Sequence, residues 1–362
     1  MHFEENRLLA PLTTFGVGGP ARWFVEAASE EEIAEACAWA GERRVPLFVL
    51  GGGSNLLAAD QGFDGLVLRI ALQGITVTGA SSGRPGDRIY SAAAGEDWDI
   101  LVERAVNEDC AGVECLAGIP GTVGGTPVQN VGAYGQEVSS VIERVRAFDR
   151  KDRAFVELFA ADCGFSYRRS RFNAVDRDRF IVTRVDYRLT FGGEPALRYA
   201  ELERELKATL PTGTQPSLPE VSAAVRRIRR SKGMLLVEGD SDCRSAGSFF
   251  KNPVIGEDHF QRIASATAMA PPRFPAGAGQ SEAQVKVPAA WLIEQAGFPR
   301  GYRLGAAAVS SRHTLALTNR GGATATEILA LAEKIRMAVE ARFGIRLEME
   351  PVLVGFQTAE IR

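Results

Sequence analysis

Cysteine and histidine are scarce in this chain of 362 residues, and neither is arranged for the chemistry it usually serves. The five cysteines (Cys37, Cys110, Cys115, Cys163 and Cys243) are odd in number and scattered, with no Cys-x-x-Cys pair, and only three histidines exist to complete a metal site. Neither a disulfide framework nor a zinc centre is expected, and no metal is assigned. Charge of one sign is also lacking. Lys and Arg number 42 against 45 Asp and Glu, a formal net charge of -3, so the basic field that drives counterion release from nucleic acid is missing. No apolar run approaches the ~18 to 20 residues that a membrane span needs. The first residues, Met1 to Asn6, are acidic and carry no apolar leader segment, so a cytoplasmic protein with no nucleic-acid or membrane partner is expected, and a monomer. No internal repeat is present. What remains is a long chain, 45% hydrophobic, with enough apolar material for two or three compact domains.

Local patterns predict a mixture of helices and strands. Ser29 and Glu32 fit a capping box, with Ile33, Cys37 and Ala40 at helical spacing behind it and the apolar run 46–50 after it: a helix, then a buried strand. Short β-branched runs at 66–70, 75–78 and 89–93 read as strands, punctuated by Gly74, Gly79 and a turn-rich stretch at 81–87. A helix is predicted over 99–108, and further strands over 144–148, 155–159 and 180–191. This is an α+β pattern and not a regular βαβ repeat. The segment 209–218, rich in Pro, Thr, Gly and Ser and without periodicity, is the candidate domain boundary. Beyond it, Ser217 and Glu220 form a second capping box before a helix face of Val221, Ala224, Val225 and Ile228. A Pro-, Gly- and Ala-rich loop covers 270–281. A strand at 315–318 is flanked by two helices, one starting at Pro288 and the other running from about Ala325 to a stop at Gly344.

Three glycine clusters stand out. GVGGPA at 16–21 satisfies the dinucleotide pattern G-x-G-x-x-A, but no buried strand precedes it and Pro20 lies inside it, so it is not read as a Rossmann site. LGGGSNLL at 50–57 follows a predicted strand and presents consecutive unhindered amides, with Ser54 and Asn55 as further donors, which is the composition of an anion-binding nest for a pyrophosphate. An ordinary tight turn has the same composition. AGIPGTVGGT at 117–126 is a second such cluster, too dense in glycine for a helix or plain strand. Two of these loops in one domain favour a long dinucleotide held from two sides, although the glycines by themselves speak only for phosphate.

Taken in order, TTFGVGGPA at 13–21, LGGGSNLL at 50–57, 117–131 with GAYGQE at 132–137, SAGSFFKNP at 245–253 and WLIEQ at 291–295 resemble the UDP-N-acetylenolpyruvoylglucosamine reductase family, also called UDP-N-acetylmuramate dehydrogenases. The resemblance runs over nearly the whole chain. It implies a two-lobed FAD-binding unit of the vanillyl-alcohol-oxidase type at 1–210, with lobes at about 1–78 and 79–210. An α+β substrate-binding domain would follow at 211–349, and a tail at 350–362 would return to the FAD-binding unit. It also implies NADPH-dependent reduction of the enolpyruvyl ether of UDP-N-acetylglucosamine to UDP-N-acetylmuramate for peptidoglycan precursors, with non-covalent FAD as cofactor and NADPH as co-substrate. By the same resemblance Gly51, Gly52, Gly53, Ser54 and Asn55, together with Gly118, Ile119, Gly121, Thr122, Gly124 and Gly125, hold the FAD. Tyr199 stands where one class of the family carries a tyrosine on a loop that folds over the UDP.

Reducing a vinyl ether conjugated to a carboxylate needs a hydride at one alkene carbon and a proton at the other, while the arriving charge spreads onto the carboxylate. The resemblance assigns the carboxylate-stabilising cation to Arg168, where a charge-assisted contact contributes about 1.5–3 kcal/mol. By spacing alone the stretch also reads as an exposed basic loop, for which Arg169 and Arg171 are good candidates and Arg168, next to Tyr167, is a weaker one. It assigns proton donation to Ser248, preceded by Gly247, which permits close backbone approach, and followed by Phe249 and Phe250, which can wall out water. A serine after glycine is otherwise a turn residue. It assigns a third catalytic role to Glu350. Here the family often has a proline between its two acids, whereas Pro351 follows both Glu348 and Glu350, so the choice between them rests on counting back from Val354 and Gly355. The resemblance also implies that Lys232 and Asn252 contact the UDP phosphates, and that Arg300, standing where relatives often carry a lysine near the diphosphate, binds the substrate too. The stretch 233–243 lacks the prolines usual there, and His313 reads either as a nucleotide contact or as a satisfied loop histidine. A flavin oxidase with a covalent tether is the competing enzyme reading, but no histidine lies in the glycine clusters. A nucleotide-sugar sensor is the non-enzymatic one, and would have no need of Ser248.

Overall fold

Two separate hydrophobic cores divide the chain. The computed structural model describes residues 1–80, 86–267, 269–275 and 283–357. The turn predicted at 81–87, the loop at 270–281 and the tail at 350–362 therefore lie partly outside the described residues. The first unit comprises Met1–Arg7, Ala21–Gly52 and Asp64–Ser231, and the second comprises Leu8–Pro20, Gly53–Phe63 and Lys232–Arg362. Among the described residues no helix is long and apolar enough to cross a membrane.

Among the described residues the first unit holds two main sheets and a two-stranded one, Gly132–Ala133 with Gln136–Glu137. A four-stranded sheet runs in the order Glu4–Leu8, Pro20–Ala27, Phe63–Ile70, Leu47–Leu50, with the last two strands parallel. A larger sheet is antiparallel, in the order Ala154–Phe159, Ile142–Asp149, Phe180–Phe191, Asp87–Ala93, Ile75–Gly79. The helix α1 (Glu30–Arg43) starts where the Ser29 hydroxyl accepts the Glu32 N–H, the N-cap half of the predicted capping box, while the Glu32 carboxylate reaches one residue further back and accepts the Ala28 N–H instead of that of Ser29. Its buried residues Ile33, Ala36 and Ala40 enter the first core, and Glu30 makes a two-pronged ion pair with Arg146 on the larger sheet. That guanidinium holds the Glu30 carboxyl below its usual range. The helices α2 (Trp98–Asn107), α3 (Ala200–Thr209) and α4 (Leu218–Ser231) complete the unit. On α4 the predicted face of Val221, Ala224, Val225 and Ile228 is buried, behind the Ser217 and Glu220 capping box. GVGGPA at 16–21 leads into a strand and not a helix, which removes the Rossmann geometry.

In the second unit α5 (Glu257–Ala266), α6 (Ala289–Gln295) and α7 (Ala325–Phe343) surround small antiparallel sheets. A full capping box from Thr324 and Glu327 starts α7, and Gly344, in the left-handed conformation, ends it. Phe249, Phe250, Leu292, Ile328 and Ile335 are fully buried in this core. The C-terminal strand Val352–Val354 pairs in parallel with Leu56–Ala58, directly after the first glycine loop. The mixture of helices and strands is the α+β class read from the sequence.

Candidate functional site

In the first unit the two glycine loops lie against each other. The Cβ of an alanine at 51 would come within 2.9 Å of the Thr122 Oγ1. At 52 it would lie 2.7 Å from the Cα and 3.0 Å from the carbonyl carbon of Gly121. The approach at 52 is to main chain and needs glycine, whereas the one at 51 is to a side-chain hydroxyl that can turn aside. The N–H groups of Gly52, Ile119 and Gly121 donate to no acceptor among the described residues. Other amides of the second loop are occupied: Gly118 donates to Asp99, Gly124 to the Ala94 carbonyl and Gly125 to the Thr122 carbonyl.

The sequence reading missed what fixes this loop. Asp99, on the first turn of α2, takes the Gly118 N–H at 2.7 Å and a two-pronged ion pair from Arg226 of α4. Arg229, one turn further along α4 and almost wholly buried, donates to the Gly118 carbonyl at 3.0 Å. Burial pushes its guanidinium below the usual range, partly offset by Tyr134 and Asp99. Arg229 follows Val225 by four residues and so falls on the apolar face of α4, but nothing in the sequence marks it as buried.

Arg168 sits at the tip of a tight turn closed by mutual main-chain bonds between Ser166 and Arg169. Its guanidinium donates to the Gly132 carbonyl at 2.7 Å, and Asn130 bonds the Ser166 carbonyl from below. Arg168, Asn130 and Tyr134 all have positive φ, 53°, 45° and 49°. Left-handed backbone at non-glycine residues is sterically unfavourable and persists where surrounding contacts impose it, commonly at functional sites. Tyr199 precedes α3 and meets Tyr134 edge-on with ring centroids 5.5 Å apart. Burial raises both phenols, Tyr134 to about 12. The stretch leading to Tyr199 is tied down by Glu114, a fully buried carboxylate that accepts from the Ala196 and Gly112 N–H groups and from Gln136.

In the second unit Ser248, Glu350 and the rest of the first glycine loop come together. The Glu350 N–H donates to the Phe249 carbonyl and the Lys251 N–H to the Glu348 carbonyl, so 249–251 and 348–350 run as a short antiparallel ladder. The Asn55 amide donates to the Glu350 carbonyl at 3.1 Å, and the Val352 N–H to the Asn55 carbonyl. Glu350 is half-buried, whereas Glu348 is exposed and paired with Lys251 at 2.5 Å. Gly53, with φ 63°, abuts the Leu12 carbonyl, and Thr14 bonds both Gly53 and the Ser245 carbonyl. Ser54 lies beside them, and the N–H groups of Gly53 and Ser54 donate to nothing among the described residues.

The segment before Ser248 hangs on Asp242, which is buried. It accepts from Ser310, from both the N–H and the hydroxyl of Ser311, and from Arg320. Burial pushes its carboxyl up, but the Ser311 and Ser310 donors and the Arg320 charge outweigh that and leave it below the usual range. Asn252 accepts the Ala289 N–H at the start of α6. Lys232 follows α4, and Gly233 packs on Asp242. Arg300 is exposed, 3.7 Å from Glu294. His313 Nδ1 accepts the Leu315 N–H, the bond of a satisfied loop histidine.

Residues 21–155 match the family model described as FAD binding domain. Residues 239–354 match that of UDP-N-acetylenolpyruvoylglucosamine reductase, C-terminal domain. The chain is 47% identical to the UDP-N-acetylenolpyruvoylglucosamine reductase of Streptomyces coelicolor, over 96% of its own length and 89% of the relative's. It is 46% identical to that of Thermobifida fusca over 98% of both chains. The crystal structure of UDP-N-acetylenolpyruvylglucosamine reductase from Thermus caldophilus is similar, with a TM-score of 0.64 and 28% identity, covering 98% of this chain and 99% of that one.

Proposed function

This chain belongs to the UDP-N-acetylenolpyruvoylglucosamine reductase family, and from that premise we propose that Arg168, Ser248 and Glu350 are its catalytic residues and that the two glycine loops hold its FAD. The protein is a FAD-dependent oxidoreductase that reduces the enolpyruvyl ether of UDP-N-acetylglucosamine to UDP-N-acetylmuramate with NADPH, in peptidoglycan precursor synthesis. When bound, FAD carries the hydride from NADPH to the substrate. A pyrophosphate suits the paired loops of the first unit, because Gly51, Gly52 and Gly121 keep side chains away and the N–H groups of Gly52, Ile119 and Gly121 are left as donors.

The observation that supports the assignment is the bond from the Glu350 N–H to the Phe249 carbonyl, which pairs the main chain of Glu350 with the residue that follows Ser248. The Ser248 hydroxyl delivers a proton to the α carbon as charge arrives there. A serine hydroxyl is a poor acid, so it does this only toward a carbon of strong enolate character and only when held in contact with it. Arg168 supplies the cation over which that character develops, its guanidinium aimed by the Gly132 carbonyl. Glu350 helps only as a protonated or hydrogen-bonded carboxyl, since bare like charges repel. Asn252 commits its oxygen to the Ala289 N–H, which leaves its NH₂ as a donor, the polarity that suits a diphosphate oxygen. Lys232 and Arg300 supply positive charge for the same group, and Tyr199 closes over it. A monomer working in the cytoplasm is the form this reading implies.

Replacing Ser248 by alanine tests it. Reduction of the bound flavin by NADPH stays nearly intact, while its reoxidation by the enolpyruvyl substrate slows by about 10²–10⁴ in anaerobic stopped flow. Equal slowing of both half-reactions would remove Ser248 from proton donation.

A further inference from the structure

The first unit contains a cavity of about 570 Å³ that the reaction above does not use, walled by the C-terminal end of α1, the turn at 150–153 and the turn at 177–179. Its cationic lining consists of Arg44, Arg150, Lys151, Arg153, Arg177 and Arg179, against one acid, Asp178. In a chain of net charge -3 that is a local inversion of sign. Arg179 is neutralised by Asp149 at 2.6 Å, and Arg177 faces Asp178 at 3.9 Å. Arg44, Arg150, Lys151 and Arg153 have no carboxylate within 4.0 Å among the described residues. The α1 dipole accounts for a cation at its C-terminal end, but not for those contributed by the 150–153 turn. Arg44 and Arg153 also occupy left-handed positions, φ 53° and 52°, where glycine or asparagine is sterically cheaper. The floor is apolar, made by Cys37, Ala38, Val45 and Phe148.

Four unneutralised cations around an apolar floor suit a ligand with several negative charges at one end and a flat apolar body at the other. The volume is that of a small-molecule pocket. A membrane surface or a nucleic-acid duplex would need a ridge or a stripe and not a hollow. The geometry points to a second nucleotide site, binding a nucleoside polyphosphate with its phosphates on Arg44, Arg150, Lys151 and Arg153 and its base on the Cys37 and Phe148 floor.

Cys37 provides a reporter inside the cavity, because it is the only one of the five cysteines that is not buried. Burial raises its thiol to about 11, so alkylation of the FAD-loaded protein is followed near about pH 9, where some thiolate exists. ATP slows alkylation of Cys37, read by mass spectrometry, at least about fivefold, an occupancy effect that high salt weakens. The double variant Lys151→Glu with Arg153→Glu abolishes the protection and leaves NADPH turnover unchanged. ATP held at a flavin or nicotinamide site does not shield Cys37, so failure here is separate from failure of the proposed reaction. No protection by millimolar ATP, or protection that survives the double variant, overturns the site. Inorganic triphosphate protecting as well as ATP overturns the nucleoside part. Protection by anionic vesicles but not by ATP replaces the nucleotide with a membrane surface.

Discussion

Adding one methyl group to each of three glycines separates the cradle from the fold. An alanine at 52 places its Cβ 2.7 Å from Gly121 Cα and 3.0 Å from Gly121 C, whereas non-bonded carbons settle about 3.5–4.0 Å apart. The obstruction is main chain, so the two loops must part by close to about 1 Å. Overpacking of that kind costs about 1–3 kcal/mol. If the paired loops hold FAD, that cost reappears as roughly a 5- to 150-fold loss of FAD affinity. At 51 the new Cβ meets only the Thr122 hydroxyl, at 2.9 Å, which can rotate away, so Gly51→Ala is milder. At 125 it meets no heavy atom within 4 Å, and Gly125→Ala leaves the melting temperature alone. Any loss of FAD affinity there comes from contact with the cofactor itself. Apoprotein of each variant is titrated with FAD by flavin fluorescence quenching, alongside thermal melts. Gly52→Ala binding FAD within about twofold of wild type, or Gly51→Ala being the more damaging of the two, would refute the opposed-loop cradle.

Other expectations concern the second unit and acid stability. Glu348→Gln removes only the exposed pair with Lys251, at about 0–1 kcal/mol, and leaves steady-state NADPH oxidation nearly unchanged. Glu350→Gln lowers kcat by about 10², and a reversed outcome would transfer the role to Glu348. Asp242→Ala strands the donors of Ser310, Ser311 and Arg320. It costs about 3 kcal/mol in urea unfolding, and an unchanged midpoint contradicts that account. The Arg179 guanidinium holds Asp149 down at about 2. The stabilisation from this depressed carboxyl is full above about pH 4 and disappears as pH falls through about 2. The difference in unfolding stability between wild type and Arg179→Gln is therefore constant from pH 7 to about 4 and shrinks below it. A difference that instead grows toward acid pH shows that the pairing does not govern it.

Much of the fold was legible because its signals are local. The N-cap at Ser29, the capping box at Ser217 and the buried face of α4 are read from neighbours within one helical turn, and the strand Phe180–Phe191 from its β-branched run. The helices α3 and α5 were not read. Neither has a side-chain cap at its start, and each buries only two residues, so its periodicity barely rises above the surface pattern. Of the site, the glycine loops and the SAGSFF segment showed themselves as composition. Arg229, Asp99, Glu114 and Asp242 did not, because a single charged residue in a sequence carries no mark of being buried.

The sequence by itself determined where the chain is bare of side chains, where its hydroxyl and its cation lie along the chain, and to which family it belongs. Only the tertiary structure decided that Gly52 presses on Gly121, that Arg168 is aimed by Gly132, and that Glu350, rather than Glu348, lies half-buried beside the segment of Ser248. Those pairs are separated by tens to a hundred residues. Strand register and core packing bring them into contact, and neither leaves a trace in any window of neighbouring residues.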